Sequence, residues 1–194
     1  MTDPAEVPKA LATTLAPDIA PPALIELDGF SLRRPTPSDA EELHQAVKAT
    51  FAELHPWMPW CTDPVELEEQ RAFIERAATN WASQAEFNWF IVDTEDALIG
   101  TISLMDRIGP GGLEIGYWLR TDATGRGVMT RAAGRVTEVA LGLPGIERVE
   151  IHCDAANLRS AAVPQRLGFR LAREFPKEPT APGERGLEQQ WVKP

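Results

Sequence analysis

The chain is poor in tyrosine, cysteine and histidine, and it lacks a long apolar run. Of its 194 residues one is Tyr, two are Cys and three are His. Cys61 and Cys153 stand far apart and neither belongs to a Cys-x-x-Cys pair, which argues against a disulfide framework and against a thiolate zinc site. His44, His55 and His152 fall on separate predicted elements without ligand spacing, so no metal is expected. No stretch approaches the ~18 apolar residues of a membrane span. Asp3 and Glu6 precede any apolar segment, unlike the basic start of a signal peptide. These absences fit a reducing, cytoplasmic setting. Basic residues are also scarce, 19 against 29 acidic ones, for a formal net charge of −10. That balance disfavours nucleic acid and anionic membrane, and it favours a cationic partner such as an amine.

What is present suits one globular domain with a substantial core, since 43% of the residues are hydrophobic. Residues 1–24 hold five Pro and six Ala without periodicity and read as a flexible or loosely docked tail, leaving 25–194 as the domain. Ile25–Arg34 alternates as a strand. Ser38 or Asp39 caps a helix running to about Leu54, and Pro64 opens a second helix to about Gln84. Phe87–Val92, Ile99–Met105 and Leu113–Leu119 are short apolar runs between turn signals and read as hairpin strands. A helix follows from about Gly127 to Leu141, with Val128, Ala132, Val136, Val139 and Leu143 on its inner face. Then come a strand Arg148–Asp154, a helix Leu158–Leu167, and strands Phe169–Phe175 and Leu187–Val192. The expected class is a mixed α+β sheet flanked by helices.

The most informative segment joins the strand Tyr117-Trp118-Leu119 to that long helix through Thr124-Gly125-Arg126-Gly127-Val128-Met129-Thr130. Glycine lets backbone N–H groups approach an anion closely, and a helix N-terminus supplies aligned donors with a positive dipole end. The segment is therefore suited to phosphate, with the Arg126 and Arg131 side chains as additional partners. A plain strand-to-helix turn is the simpler reading of the loop alone.

Together with Asn157-Leu158-Arg159-Ser160 and Leu167-Gly168-Phe169 downstream, this loop resembles that of the GNAT N-acyltransferase superfamily, and more narrowly its RimJ/RimL-type branch. Leu32-Arg33-Arg34-Pro35 and His55-Pro56-Trp57-Met58-Pro59-Trp60 are similar to the same branch. The likeness covers residues 25–192, with its sharp motifs between 114 and 169. It implies a central, mostly antiparallel sheet with a splayed parallel pair, and acyl-CoA, acetyl-CoA above all, as co-substrate. It also implies transfer to a primary amine of a protein N-terminus or small molecule by direct attack in a ternary complex. Gly125, Arg126, Gly127, Val128, Met129 and Thr130 would hold the pyrophosphate. The strand Tyr117, Trp118 and Leu119 and the side chain of Asn157 would meet the pantetheine arm.

Two catalytic candidates follow. Glu114 leads into that strand and could take the proton that an ammonium must lose before it attacks a thioester, with Asp106 as a fallback. Ser160, one helical turn after Asn157, could solvate the departing thiolate. Trp57 and Trp60 read either as a wall of the acceptor pocket or as core anchors. The chain departs from the general superfamily pattern at Thr124 and Met129. It departs again at position 164, where many members carry a tyrosine acid and this chain has Pro164. Pro164 also removes the N–H that would bond the Ser160 carbonyl. A domain that binds acyl-CoA without turnover is the alternative, and homodimer formation, common in the superfamily, stays open.

Overall fold

The structure is a computed structural model that describes residues 15, 16 and 18–194; most of the expected tail, 1–14 and Pro17, lies outside the described residues. The segment that follows is docked. Leu15 is only 2% exposed, the Gln84 side chain donates to the carbonyls of Ala16 and Ile19, and Trp89 Nε1 donates to the Pro22 carbonyl at 3.0 Å. Leu15 and Ile19 supply apolar anchors that the Pro/Ala composition hides.

An eight-stranded sheet organises the domain, in the order β1-β2-β3-β4-β5-β6-β8-β7. Its strands are β1 Leu24–Leu27, β2 Phe30–Arg33, β3 Glu86–Asp93, β4 Leu98–Met105, β5 Gly112–Leu119, β6 Arg148–Asp154, β7 Arg170–Pro176 and β8 Leu187–Lys193. Every pairing is antiparallel except β5 with β6. The helices are α1 Ala40–Ala49, α2 Phe51–Leu54, α3 Leu67–Ala82, α4 Val128–Leu141 and α5 Leu158–Arg166. This is the mixed α/β arrangement that the residues led us to expect, with the one parallel pair that the GNAT resemblance implied.

Three local expectations are corrected. The single strand over Ile25–Arg34 is a hairpin: Asp28-Gly29, with Gly29 at φ 80, forms a two-residue turn and Leu27 faces Phe30. The first helix breaks at buried Thr50, where φ −111 and ψ 8 leave the helical region before α2 restarts. Pro64 sits outside α3, three residues before its first turn. Asp39 is the N-cap residue of α1, as expected, with its carboxylate turned back to the Thr36 N–H and to Arg33. Arg33 grips both oxygens of Asp39 at 2.8 and 2.9 Å, tying β2 to the start of α1.

The two sheet faces bury separate clusters. α4 covers one face through Ala132, Ala133 and Val136 against Leu113, Ile115, Val149 and Ile151. α1 covers part of the other through Leu43 and Val47 against Phe90, Val92, Leu98 and Trp118. Because side chains alternate along a strand, residues next to each other on β5 and β6 address opposite faces, and this fixes what each half of the site contains.

Candidate active site

The glycine segment has the geometry of an anion cradle. Gly125 and Gly127 lie at φ 76 and 72, and a Cβ built on either would meet nothing within 4 Å. The backbone N–H groups of Gly125 to Thr130 have no acceptor among the described residues, and the first helical bond runs from Arg131 N–H to the Gly127 carbonyl. A row of unpaired donors at the positive end of a fourteen-residue helix is what a phosphate requires. Arg126 is exposed and without an ion-pair partner among the described residues. Arg131 is engaged instead, donating to the Asp28 carbonyl at 2.6 Å and lying 4.7 Å over the Phe30 ring; its expected phosphate contact would require leaving both.

Beside the cradle the sheet opens. β5 and β6 pair only from Gly112 to Glu114 against Arg148 to Glu150, and beyond those residues they diverge. Beyond Glu114 the register of β5 continues with β4 alone, and beyond Glu150 that of β6 continues with β8 alone. The notch so formed exposes one backbone edge of each strand, which suits an extended ligand with amides of its own. A cavity of about 1050 Å³ extends from this notch.

The cavity brings together much of what the sequence suggested. Glu114, Tyr117, Trp118, Asn157 and Ser160 line it, and so do Trp57 and Trp60 from the loop after α2. Trp60 is 46% exposed, which makes it a rim residue, not a core anchor. Asn157 caps α5, its Oδ1 accepting the Ser160 N–H at 3.1 Å. Leu119 and the residues of the glycine segment do not line the cavity; Leu119 faces Gly100 across β4, and the segment lies at the outer end of β5. Asp106, the fallback base, is likewise outside the lining, and its N–H donates to the Ala85 carbonyl.

Residues that the sequence did not single out complete the wall on the α1 side. Arg107 clamps buried Glu114 through two nitrogens, Nε to Oε2 at 2.8 Å and the second to Oε1. This ion pair and burial act on Arg107 in opposite directions, and the pair wins, holding its pKa above the ordinary guanidinium value. Glu114 is also the register neighbour of Glu150, whose buried carboxylate receives Arg148, Gln190 and His152 Nε2, the last at 2.7 Å. Burial raises the Glu150 pKa, but these donors outweigh it and leave it lowered. Asn88 faces Ser103, which faces Gly116, so all three cross the sheet in one row. Asn88 is 4% exposed and its Nδ2 has no partner among the described residues. The alternation of Glu86 and Asn88 with Phe87 and Trp89 was a readable signal for a polar floor here.

The α5 side is built differently, from hydroxyls and a thiol. Tyr117 Oη lies 3.0 Å from the Ser160 carbonyl and 3.3 Å from Ser160 Oγ. Burial pushes the Tyr117 phenol well above its ordinary range, against a smaller opposing effect of Ser160. Burial likewise pushes the Cys153 thiol up to about 11, against a smaller opposing effect of Ser160. No group of three or more His, Cys, Asp or Glu among the described residues could hold a metal ion.

An anion cradle, a splayed strand pair and a cavity with a carboxylate on one side and hydroxyls on the other define a site suited to acyl transfer from a CoA thioester. The Acetyltransferase (GNAT) domain model matches residues 30–170, and the chain belongs to this family of acetyltransferases. It is 29% identical over 145 residues to the putative ribosomal N-acetyltransferase YdaF of Bacillus subtilis strain 168, covering 72% of this chain and 77% of that one. It is 32% identical over 111 residues to the probable N-acetyltransferase YjcK of the same organism, covering 55% and 61%. In fold it is similar to MccE, a microcin C7 self-immunity acetyltransferase in complex with acetyl-CoA and AMP, with TM-score 0.81, 23% identity and coverage of 93% and 98%. It is also similar in fold to RimL, an alpha-N-protein acetyltransferase of ribosomal L7/L12 in complex with CoA, with TM-score 0.80, 22% identity and coverage of 88% and 97%. The RimJ/RimL resemblance thus holds. Among the described residues no helix is long and apolar enough to cross a membrane.

Proposed function

We propose that the protein transfers an acetyl group from acetyl-CoA to the N-terminal amine of a protein or peptide, in the cytoplasm, within a ternary complex. The observation that carries this reading is the cavity itself. It starts at the notch beside unpaired N–H groups and ends at Trp57 and Trp60, with Glu114 on one wall and Ser160 on the other. A peptide acceptor is supported by the ribosomal N-acetyltransferase name of YdaF and by Asn88. A buried amide without a partner is complementary to a peptide unit, which offers one donor and one acceptor.

In this reading Gly125 to Thr130 hold the CoA pyrophosphate through backbone N–H groups, and the free edge of β5 at Tyr117 to Leu119 aligns the pantetheine arm with help from Asn157. The acceptor enters past Trp57 and Trp60. Glu114 attracts its ammonium group and takes a proton. Arg107 occupies one lone-pair site on each Glu114 oxygen, and each oxygen keeps a second. The amine nitrogen then bonds to the acyl carbon, the C–S bond breaks, and its electron pair stays on sulfur, where the Ser160 hydroxyl donates a hydrogen bond; the second proton that the nitrogen sheds on becoming an amide passes to that thiolate. A thiolate leaves readily, so this assistance is small beside the deprotonation.

The test is an acceptor panel. Short peptides with free N-termini, their N-blocked forms and simple alkylamines are offered with acetyl-CoA, and thiol release is followed. Acetylation of free N-termini with blocked peptides inert is the expected result. Thiol release that depends on none of the amines would overturn the proposal.

A further inference from the structure

α5 contains a contradiction that the rest of the fold resolves. Pro164 stands inside the helix, four residues after Ser160. It offers no N–H to the Ser160 carbonyl, and its ring crowds that carbonyl away from the axis. The replacement comes from another element: Tyr117, on β5, crosses the notch and donates its phenol hydroxyl to the Ser160 carbonyl at 3.0 Å. The same oxygen stands 3.3 Å from Ser160 Oγ. It is the only tyrosine in the chain.

We propose that Tyr117 is a positioning residue for acyl transfer: its hydroxyl substitutes for the helix N–H that Pro164 lacks, and by holding Ser160 at the carbonyl and the hydroxyl it fixes Ser160 Oγ at the notch. The role rests on the reading given above, in which Ser160 meets the thioester sulfur. The proton inventory is consistent with it. A phenol has one hydrogen, and here it is committed to the carbonyl. Contact between the two hydroxyls therefore uses the hydrogen of Ser160 at rest, and a torsion about Cβ–Oγ turns that hydrogen to the sulfur when the C–S bond breaks. Tyr117 keeps its own proton throughout, as its buried position favours. Cys153, on β6, lines the same cavity as Tyr117 and Ser160. Pro164, which empties the carbonyl, and Tyr117, which fills it, thus act as a pair drawn from α5 and β5.

The experiment combines kinetics with a spectroscopic reading that needs no turnover. Tyr117→Phe should lower kcat about tenfold while the KM for acetyl-CoA changes less than about twofold. Added to Ser160→Ala it should cost nothing further, because the tyrosine acts through the serine. Tyr117→Phe with Pro164→Ala should recover activity, since alanine returns the helix N–H; the double variant also guards against a folding defect in the single one. Losses that multiply in the Tyr117/Ser160 double variant, or a Tyr117→Phe enzyme with wild-type kcat, would overturn the proposal. Since one tyrosine is present, phenolate absorbance reports Tyr117 alone. The folded protein should show none until far above the ordinary phenol value of about 10. Titration at that ordinary value would overturn the inference even if the protein acetylates no amine, which separates its failure from that of the proposed function.

Discussion

The two halves of the notch are built from opposite chemistry. Toward α5 lie uncharged donors: Tyr117, Ser160, Cys153 and the Asn157 cap. Toward α1 lie charges: Glu114 with Arg107, Glu150 with Arg148 and His152, and Glu188 with Lys177. The difference follows from strand alternation, since Glu114 and Gly116 point one way and Ile115 and Tyr117 the other. An amine must arrive charged and lose a proton, which asks for carboxylates. A thiolate departs with little help, which asks only for a hydroxyl. In the proposed mechanism the sheet separates the two tasks by a single residue of register, and a one-residue slip in β5 would exchange them.

The largest effect expected is on binding at the cradle, which serves both halves. A ligand at ~100 times its dissociation constant stabilises a protein by roughly 2.7 kcal/mol. Millimolar CoA should therefore raise the melting temperature of the wild type, and Gly127→Glu should abolish the shift. The new carboxylate enters where we propose that phosphate is held, and a side chain at φ 72 adds strain of about 1–2 kcal/mol to the free protein. Differential scanning fluorimetry with and without CoA decides it.

Next is the charged half. Glu114→Gln should lower kcat at neutral pH by ~10²–10⁴, with CoA affinity unchanged and partial recovery at high pH, where the amine is already neutral. An unchanged kcat would mean that the two halves do not divide the tasks as described. Stopped-flow or thiol-release kinetics beside calorimetric CoA binding make the comparison.

A smaller and more selective effect is expected at Asn88. Asn88→Leu removes a buried donor that has no partner, so stability should be unchanged or improved by up to about 1 kcal/mol. The KM for a peptide acceptor should rise, while that for an alkylamine stays put. Equal changes in the two would remove Asn88 from acceptor selection.

The smallest expected effect is a pH dependence from the uncharged half. Burial raises the Cys153 thiol from 9.0 to about 11. The sign follows directly: a raised folded-state pKa gives stability that is complete below the unfolded value and is lost as pH rises through the folded one. Unfolding free energy should fall between about pH 9 and pH 11, and Cys153→Ala should flatten part of that slope. Urea titrations at several pH values measure it. Buried Cys61 and Tyr117, which burial also raises, contribute in the same direction and set the residual slope.

Much of the fold was legible because its signals are local. Asp93 to Asp96, Gly109 to Gly112 and the apolar periodicity of α4 each act within a few residues, and the strands and helices after residue 86 lie within about two residues of the expected limits. The Asp28-Gly29 turn was equally local and passed unread inside an alternating stretch. The helix break at Thr50 was not local: a buried β-branched residue continues or ends a helix according to what packs beside it. Similarly, Pro64 has the composition of a helix start without being one.

The site divides along the same line. The cradle is a contiguous run whose function depends on its own backbone, so two glycines and a helix start suffice to suggest it. Arg107 on Glu114, His152 on Glu150, and Tyr117 on the carbonyl that Pro164 leaves open are pairings between separate elements, or between strand neighbours whose side chains had first to be turned to one face. Residue types by themselves determined that this chain could hold a phosphate between a strand and a helix start; the splay of that strand came from the resemblance. Which carboxylate is clamped, which amide is left without a partner and which hydroxyl reaches α5 were decided by sheet register and by the divergence of β5 from β6. Side-chain partners at a sequence separation of 43 residues, such as Tyr117 and Ser160, are chosen by packing and leave no periodic trace in the chain.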